Sequence, residues 1–253
     1  MPVFLLCSSP LAFTTDIMTW SDSWFDFHGE CDLVLLDAPS YGEGLLVHAR
    51  TKARWDYSYI HSVAVQIGDE ILEVGGWGAY FLNGIETAEL PATLSGRNVT
   101  YTKSNKRQHD FLIDLGQNQH ITVKAFKDLV NIKFVGFHQN DFKDCRGLMG
   151  EWETGVHYGR DGNSVIEDDN AFGFEWQVRD DEPNLFASRG SGPHYPEQCR
   201  MPDMTSESRR RLRASVSKEN AEKACAGVTN GFDQCVYDVI ATGDLEVAQA
   251  GVY

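Results

Sequence analysis

Long hydrophobic runs are missing from this chain of 253 residues, and so is an excess of positive charge. No apolar stretch is long enough to cross a bilayer, so we predict no membrane span. The 22 Lys and Arg residues against 37 Asp and Glu residues give a formal net charge of -15. The one cluster of arginines lies among glutamates: Arg209, Arg210, Arg211 and Arg213 beside Glu207, Glu219 and Glu222. Because nucleic-acid binding requires a clustered basic face, we predict no nucleic-acid partner and interpret the arginines as a solvated helix face.

Cysteine motifs for metals are also missing, although cysteine itself is not. The chain has no Cys-x-x-Cys pair and no Cys/His pair at zinc spacing, which argues against a structural zinc site. Six cysteines are present: Cys7, Cys31, Cys145, Cys199, Cys225 and Cys235. The even number is compatible with disulfides, but spacing alone does not choose between a secreted protein and a reduced cytosolic one.

The common catalytic motifs are absent as well. There is no Gly-x-Ser-x-Gly nucleophile motif, no phosphate-binding glycine loop and no His-x-x-x-His pair. Glu151 and Glu153 are a candidate acid/base pair, because residues two apart on one strand share a face, and a glycoside hydrolase is therefore an alternative. A single local pair is weak evidence, so we predict that the chain is not an enzyme.

The start of the chain is apolar and is open to three interpretations. Met1 to Phe13 resembles a secretory signal without its basic first part. It also fits a buried first strand, or a chain that begins inside a longer gene product. We treat residues 1–18 as a signal or a truncated leader and place the main domain at residues 19–200.

Alternating apolar residues predict strand after strand from Trp20 to Val135. The run from His61 turns at Gly68-Asp69 into a second run over residues 70–74, which predicts a hairpin. Further strands are predicted at residues 31–36, 80–82, 93–101, 111–115, 120–126 and 129–135, with turns at residues 95–96 and 116–118. Since no helical pattern separates these strands, we predict a mainly β fold, an antiparallel sandwich or open barrel rather than a parallel α/β sheet.

The rest of the chain divides into two parts. Residues 145–200 are rich in Gly, Asp, Asn and Pro with isolated aromatic residues, which predicts a loop-rich region that still packs on the domain. From Ser206 the pattern becomes helical, with Ser206 or Ser208 as the N-cap and short helices following over residues 232–241 and 245–250. We therefore predict a small helical C-terminal appendage at residues 201–253, called the tail below.

Three segments carry recognisable motifs. The first spans residues 19–31 and ends in Gly29-Glu30-Cys31, the second is residues 147–150 (Gly-Leu-Met-Gly), and the third spans residues 170–178 and contains Phe172-Gly173 and Trp176. Together these motif segments resemble the von Willebrand factor type D domain family, in the family's order and over residues 19–200. The tail segment at residues 235–239 is similar to that of stand-alone algal members.

This resemblance implies two antiparallel sheets in a β-sandwich and a secreted, extracellular module. It implies a role in adhesion or matrix assembly, with extracellular proteins or matrix polymers as partners, or with self-association. Some members cleave themselves at an Asp-Pro bond upstream of the first motif segment, but Asp16 is followed by Ile17 here, so we predict no self-cleavage. Met149 replaces a family cysteine, which removes one usual disulfide.

The resemblance also implies a disulfide between Cys31 and Cys199, which would close most of the domain into one loop. The alternative pairs Cys31 with Cys145 and leaves Cys199 for Cys7 or for a partner chain. Cys225 and Cys235 flank a glycine-containing turn between two predicted helices, so a bridge there would staple a helical hairpin. Cys7 and Cys145 could pair with each other, or Cys7 could be lost with a signal peptide.

Family members often hold one Ca²⁺, and this is the one cofactor that the resemblance suggests. Its candidate ligands here are Glu151 and Glu153, together with Asp22 or Asp161. Carboxylate oxygens two residues apart suit a hard cation. The Asp of the family's opening motif is Ser21 in this chain, with Asp22 next to it. The alternative is an acidic surface loop without a metal.

Two further features bear on binding to, or modification by, carbohydrate. The triplet Asn98-Val99-Thr100 is an acceptor for N-linked glycosylation, which would make the chain a glycoprotein. Seven aromatic residues are candidates for a carbohydrate platform: Trp20, Trp24, Phe25, Phe27, Trp55, Tyr57 and Tyr59. Core packing explains most of them better, so a lectin-like carbohydrate-binding sandwich is the alternative function.

Overall fold

The structure is mainly β, which confirms the fold class predicted from the sequence. A computed structural model describes residues 7–10, 16–20, 24–54, 57–152, 154–202, 216–228 and 232–249. In this part of the chain, two six-stranded antiparallel sheets form a sandwich, and a short two-stranded hairpin accompanies them. None of the helices in the described ranges is both long enough and apolar enough to cross a membrane.

Fourteen strands lie in the described ranges. In chain order they are β1 (Cys7–Pro10), β2 (Asp16–Met18), β3 (Trp24–Asp26), β4 (Asp32–Ala38), β5 (Leu45–Arg54), β6 (Tyr57–Ile67), β7 (Glu70–Gly75), β8 (Tyr80–Leu82), β9 (Ile85–Glu86), β10 (Ala92–Leu94), β11 (Arg97–Lys103), β12 (Gln108–Gly116), β13 (Gln119–Phe126) and β14 (Leu129–Phe137). The first sheet has the order β1-β14-β13-β12-β11-β10, and the second has the order β4-β5-β6-β7-β8-β9. Residues 7–10 therefore form a strand that pairs with β14 at one end of the first sheet.

The predicted turns join these strands. β6 and β7 meet at Gly68-Asp69 with Ile67 opposite Glu70, which confirms the predicted hairpin. Gln117 and Asn118 have φ angles of 54° and 65° in the turn between β12 and β13. Two consecutive residues with positive φ make the turn type whose twist matches that of antiparallel strands. Local turn chemistry therefore sets the register of these hairpins.

The core lies between the two sheets and follows the predicted alternation. In the first sheet, Val99, Ile113 and Ile121 are direct cross-strand neighbours, and each is 0% exposed. In the second sheet, Val47 faces Val65, which faces Leu72, and all three are buried. Burial of such side chains contributes about 1.5–3 kcal/mol each, so this layer is the main source of stability.

Strands β4 to β7 of the second sheet are mostly buried on both faces, which the sequence pattern does not predict, whereas β8 is partly exposed and β9 is exposed. The outer face of the buried strands is covered by residues 177–200, which we call the covering segment; Leu185 within it is buried. β5 was not predicted, because its charged and polar residues obscure the apolar alternation. His48 and Arg50 on this strand are nevertheless 1% and 5% exposed, because the covering segment packs over them.

A short helix, α1 (Asp169–Glu175), lies in the region predicted to be loop-rich. It begins after Asp168, whose Oδ1 accepts a hydrogen bond from Ala171 N at 2.7 Å. Gly173 presses against Phe27 so closely that a Cβ would lie 2.1 Å from Phe27 Cδ2. Seven residues are too few to produce a clear helical period, so tertiary packing rather than sequence pattern decides this element.

The described part of the tail contains two helices, α2 (Lys218–Cys225) and α3 (Phe232–Thr242), and a 3₁₀ helix at Leu245–Gln249. The helix predicted over residues 232–241 is confirmed. Ser217 caps α2, and its Oγ accepts a hydrogen bond from Asn220 N at 3.3 Å. The predicted caps Ser206 and Ser208 and the arginine cluster lie outside the described residues. The tail packs against the sandwich through one apolar cluster that includes Tyr57, Tyr59, Phe126, Leu129, Ala221, Cys225, Val239 and Val247.

Candidate functional site

The three motif segments converge on strand β4. Val34 N donates a hydrogen bond to Trp176 O at 2.8 Å, and Leu148 N donates to Val34 O at 3.1 Å. Trp20 N donates to Met149 O at 3.2 Å, which joins the first motif segment to the second. Segments that are more than 100 residues apart in the sequence are therefore backbone neighbours around one strand.

Glycine makes this close approach possible in the second motif segment. Gly147 has a φ of 120°, and a Cβ there would lie 2.6 Å from Leu35 O. The next glycine, Gly150, has a φ of 71°. Residues with a side chain rarely adopt such backbone angles, so both positions favour glycine. The spacing of the two glycines in the motif thus follows from the path of the chain past β4.

A disulfide joins Cys31 to Cys199 across a sequence separation of 168 residues, with a Cα–Cα distance of 5.0 Å. This is the pairing that the resemblance implies, and the alternative pairing with Cys145 is not formed. Cys145 keeps a free thiol, and its burial raises the pKa to about 12. The side chain of Cys7 lies outside those described. The bridge ties the start of β4 to the end of the covering segment.

A buried ion pair holds the middle of the covering segment. Arg50 donates two hydrogen bonds to Asp32, Nε to Oδ1 at 2.6 Å and Nη2 to Oδ2 at 2.8 Å. Arg50 Nη1 also donates to Ser188 O at 2.8 Å, and the guanidinium lies 4.0 Å from the ring centroid of Phe186. A paired charge of this kind fixes geometry, because removal of one partner would leave the other buried and unpaired.

Two glutamates hold the covering segment at further points. Glu73 Oε2 accepts hydrogen bonds from Ala187 N at 2.8 Å and from Ser188 N at 3.1 Å. Glu30 accepts from Ser191 Oγ at 2.6 Å and pairs with Arg200 at 2.7 Å. Burial raises the pKa of Glu30, but hydrogen bonds from Arg200 and Ser191 outweigh it, so the pKa is lower than usual. Both carboxylates are occupied by structural contacts.

A shallow cavity lies where the covering segment meets strands β7 and β8. Its volume is about 200 Å³, and its lining includes Glu73, Phe81 and Phe186. Nearby, His48 is packed against Phe186 with ring centroids 6.4 Å apart. Burial lowers the pKa of His48 to about 4, so the ring is neutral at neutral pH. Glu73 is the acidic residue of this lining, and both of its carboxylate oxygens accept hydrogen bonds from the covering segment.

The two calcium candidates in the described ranges, Glu151 and Asp161, each accept hydrogen bonds from residues two or three positions further along the chain. Glu151 lies outside the strands, and its backbone carbonyl accepts a hydrogen bond from Gly155 N at 2.9 Å, so the strand geometry considered for an acid/base pair with Glu153 is wrong for it. Its Oε2 accepts hydrogen bonds from Thr154 N at 2.8 Å and Thr154 Oγ1 at 2.7 Å. Asp161 Oδ1 accepts from Asn163 N at 2.9 Å and Ser164 N at 2.8 Å. Hydrogen bonds from Ser164 and Asn163 lower the pKa of Asp161 to about 2.

Within the described ranges, no three His, Cys, Asp or Glu side chains are grouped closely enough to hold a metal ion. Glu151 and Asp161 alone therefore do not fit a Ca²⁺ site, which needs six or more oxygen ligands. The other two candidates, Asp22 and Glu153, lie outside the described residues. Calcium binding thus stays a prediction that depends on those two residues.

The aromatic residues considered for a carbohydrate platform are mostly core residues. Trp20, Phe25, Phe27, Tyr57 and Tyr59 are all buried, which confirms the interpretation that they pack in the interior. Trp55 and the side chain of Trp24 lie outside those described. Sequence reasoning overlooked a different aromatic residue, the exposed Trp77. The flanking glycines in Gly75-Gly76-Trp77-Gly78 are the signal that could have indicated it.

Trp77 is held outward by its surroundings. Its indole is 53% exposed, and Nε1 donates a hydrogen bond to Asp128 Oδ1 at 2.8 Å. Its φ of 58° is unusual for a bulky residue and is maintained by tertiary contacts. Gly76 lies against Asp128 and Gly78 against His109, where a Cβ would come within 2.8 Å and 2.3 Å of the neighbouring atoms. The turn therefore presents an indole face to solvent.

The tail is cross-linked internally and paired with the sandwich by charge. Cys225 and Cys235 form a disulfide with a Cα–Cα distance of 6.0 Å, which joins α2 to α3. Lys127, at the turn between β13 and β14, pairs with Asp244 and with Glu246, the latter at 2.8 Å. Arg107 also pairs with Glu246. These ion pairs lie at the border of the apolar cluster beneath the tail.

The glycosylation candidate Asn98 lies on β11 with its side chain exposed. Val99, the next residue, is 0% exposed and belongs to the core, and Thr100 is exposed again. Asn98 and Thr100 therefore share the outer face of the first sheet.

Fold and site together define a disulfide-linked β-sandwich with a helical, disulfide-stapled tail. The family model that matches is the Mucin-4-like C8-3 domain, and the match covers residues 213–250. This part of the chain is thus similar to a cysteine-rich region related to von Willebrand factor type D domains. The match covers the tail and not the sandwich. No curated protein shows significant similarity to the chain.

Proposed function

We propose that this chain is an extracellular, non-catalytic module that binds or assembles with other extracellular proteins or matrix polymers. The observation that carries the proposal is the Cys31–Cys199 disulfide, which closes a loop of 168 residues over a sandwich. Disulfides persist in oxidising compartments and are rare in the cytosol. The second disulfide lies in the segment that is similar to a Mucin-4-like C8-3 domain, which supports the same compartment.

The type D-like identity of residues 19–200 is part of this proposal. It is supported by the meeting of the three motif segments around β4, where hydrogen bonds link Val34 to Trp176 and Leu148. The Phe172-Gly173 motif packs where glycine is needed beside Phe27. A sandwich of two antiparallel sheets is what the resemblance implies. The tail, similar to a related cysteine-rich region, follows the sandwich in the chain.

The non-catalytic part of the proposal rests on how the buried titratable groups are used. Glu73 and Glu30 bind backbone or side-chain donors of the covering segment, and Asp32 binds Arg50. His48 is neutral and lies beneath Phe186. A general acid or base must reach a substrate proton. These groups instead hold one segment on the sheet, as a rigid binding module requires.

The first test is disulfide mapping of the full chain secreted from eukaryotic cells. We expect peptides containing Cys31–Cys199 and Cys225–Cys235 in the unreduced digest. Analytical ultracentrifugation over a range of concentrations, alone and with candidate matrix proteins, then measures assembly. A double variant, Cys31→Ser with Cys199→Ser, is expected to weaken any binding that depends on the covering segment. Secreted protein with all thiols reduced would overturn the proposal.

A lectin-like function is the second candidate, and the exposed Trp77 favours it. An indole face beside a carboxylate is a common surface for sugar rings, because it combines an apolar face with a hydrogen-bond acceptor. The test is a glycan array with the wild type, Trp77→Ala and Tyr195→Ala. Tyr195 is also exposed, at 39%, but lies on the covering segment, so it is the control. Loss of glycan binding in Trp77→Ala alone would favour this candidate over assembly.

A further inference from the structure

We propose that Asn98 carries an N-linked glycan and that this glycan shields an open strand edge of the first sheet. The inference rests on the proposed function in one respect, since N-linked glycosylation requires passage through the secretory pathway. It goes beyond that function, because it assigns a glycan to Asn98 and gives that glycan a role in protecting the neighbouring strand edge.

The acceptor triplet is arranged so that both of its required side chains face solvent. The strand alternation places Asn98 and Thr100 on the exposed face and Val99 in the core. No hydrogen bond or ion pair among the described residues engages the Asn98 side chain. Throughout the sequence, this is the one Asn-x-Ser/Thr triplet. An oligosaccharide at this amide nitrogen would therefore displace no native contact.

The surroundings of Asn98 leave space for an oligosaccharide. Its direct neighbours across the strands are Asp114 on β12 and Thr93 on β10, and both are exposed. Neither neighbour is bulky, and the carboxylate of Asp114 bonds back to Gly116 N at 2.9 Å. This part of the sheet differs from the β13–β14 end, where the tail covers Phe126 and Leu129.

Beside Asn98, strand β11 has an edge that β10 covers only in part. β10 pairs with residues 97–99, and its pairing ends at Ala92 opposite Val99. Residues 100–103 pair with β12 on one side, and within the described ranges no strand pairs with their other side. Unpaired edge strands invite pairing with another chain, and proteins protect them. A glycan at the beginning of this open edge would obstruct an incoming strand.

The first test measures occupancy of Asn98. The full chain is expressed behind a cleavable secretion signal in eukaryotic cells, and the secreted protein is treated with peptide N-glycosidase. We expect one loss of mass and conversion of Asn98 to Asp in the mapped peptide. Thr100→Ser is expected to keep the glycan, and Thr100→Ala is expected to lose it. Thr102→Ala is the matched control, because Thr102 lies on the same exposed face of β11 but outside the triplet.

Secreted wild type with both disulfides formed and an unmodified Asn98 would overturn the inference and leave the proposed function standing. The supplied signal makes this result independent of whether the chain assembles with partners. Should Thr100→Ala fail to fold, enzymatic removal of the glycan from folded wild type replaces it.

The second test measures shielding. We expect light scattering to show greater self-association after glycan removal, with slower hydrogen exchange at residues 100–103 in the associated form. The same increase is expected for Thr100→Ala and not for Thr102→Ala. An occupied Asn98 with unchanged association and unchanged exchange would overturn the shielding role.

Discussion

The guanidinium of Arg50 makes two hydrogen bonds to the carboxylate of Asp32 in the interior, at 2.6 Å and 2.8 Å. Both side chains are at most 10% exposed. Removal of one partner of a buried pair typically costs about 3–5 kcal/mol, because the other charge stays buried. We therefore expect Arg50→Ala to lower the free energy of unfolding by about this amount. Urea unfolding of the oxidised protein measures it.

Lys52→Ala is the control for that variant, because Lys52 is an exposed residue of the same strand. Its free energy of unfolding should stay close to that of the wild type. Arg50→Lys separates charge from geometry: a lysine keeps the charge but cannot make the bidentate contact. A small effect of Arg50→Ala, equal to that of Lys52→Ala, would contradict a role for the buried pair in holding the covering segment.

Removal of the two disulfides should destabilise different parts of the structure by different amounts. Cys31 and Cys199 close a loop of 168 residues, for which chain entropy predicts at most roughly 5 kcal/mol of stabilisation. The Cys225–Cys235 loop is short, so roughly 3 kcal/mol is expected, confined to the tail. Hydrogen exchange of each double Cys→Ser variant locates the loss. Faster exchange throughout both sheets in the tail variant would contradict this separation.

Stability should fall in acid because His48 is buried in its neutral form. Burial lowers the pKa of His48 to about 4 from an ordinary value of 6.5. Between these two values the unfolded chain binds the proton and the folded chain does not, so stability decreases as pH falls. The full difference is about 3 kcal/mol for this residue. Urea unfolding at several pH values between 7 and about 4 measures the slope.

His48→Gln is expected to flatten part of that pH dependence, because the variant removes the titrating ring. His120→Gln is the comparison, since His120 is only partly buried on the outer face of the first sheet. Burial also lowers the pKa of His61, His109 and His157, so some slope should remain. Equal slopes of the free energy of unfolding against pH in the wild type and His48→Gln would show that His48 is not the main source of the pH dependence.

The tail should detach without unfolding the sandwich when its apolar contact is broken. Val247 is 0% exposed in the apolar cluster, whereas Leu245 in the same 3₁₀ helix is 44% exposed. Burial of a valine contributes about 1.5–3 kcal/mol, and a buried carboxylate adds a desolvation penalty. We expect Val247→Asp to make the tail sensitive to protease and Leu245→Asp to leave it resistant. Simultaneous loss of the sandwich transition would contradict independent detachment.

Calcium binding can be tested without knowledge of the geometry. If Asp22 and Glu153 complete a site with Glu151 or Asp161, Ca²⁺ at a hundredfold excess over Kd should stabilise the fold by about 2.7 kcal/mol. Thermal unfolding with Ca²⁺ and with a chelator measures this difference. Asp22→Asn and Glu153→Gln should abolish it, and Asp180→Asn, on the covering segment, should not. An unchanged melting temperature with chelator would remove the calcium hypothesis.

The strand pattern was predictable because it depends on local chemistry. Alternation around Val99 and the turn at Gly68-Asp69 specify their hairpins within a few residues, so the sequence alone indicates a mainly β fold. The residues of the three motif segments could also be recognised in the sequence alone. The same local reasoning failed for β5 and α1. In β5, polar residues such as His48 and Arg50 obscure the apolar alternation, and they are buried only because another segment covers them. α1 has only seven residues, which are too few for a helical period.

By itself, then, the sequence determined the antiparallel sheets, the helical character of the tail and the candidate residues, since each depends on neighbours within a few positions. Only the tertiary structure decided that the motif segments meet at β4 and that the covering segment packs over the polar residues of β5 on the outer face of the second sheet. It also decided that Glu30, Arg50 and Glu73 serve as the attachment points of the covering segment. These contacts join residues more than 100 positions apart, and their energies depend on burial and pairing that no local pattern contains.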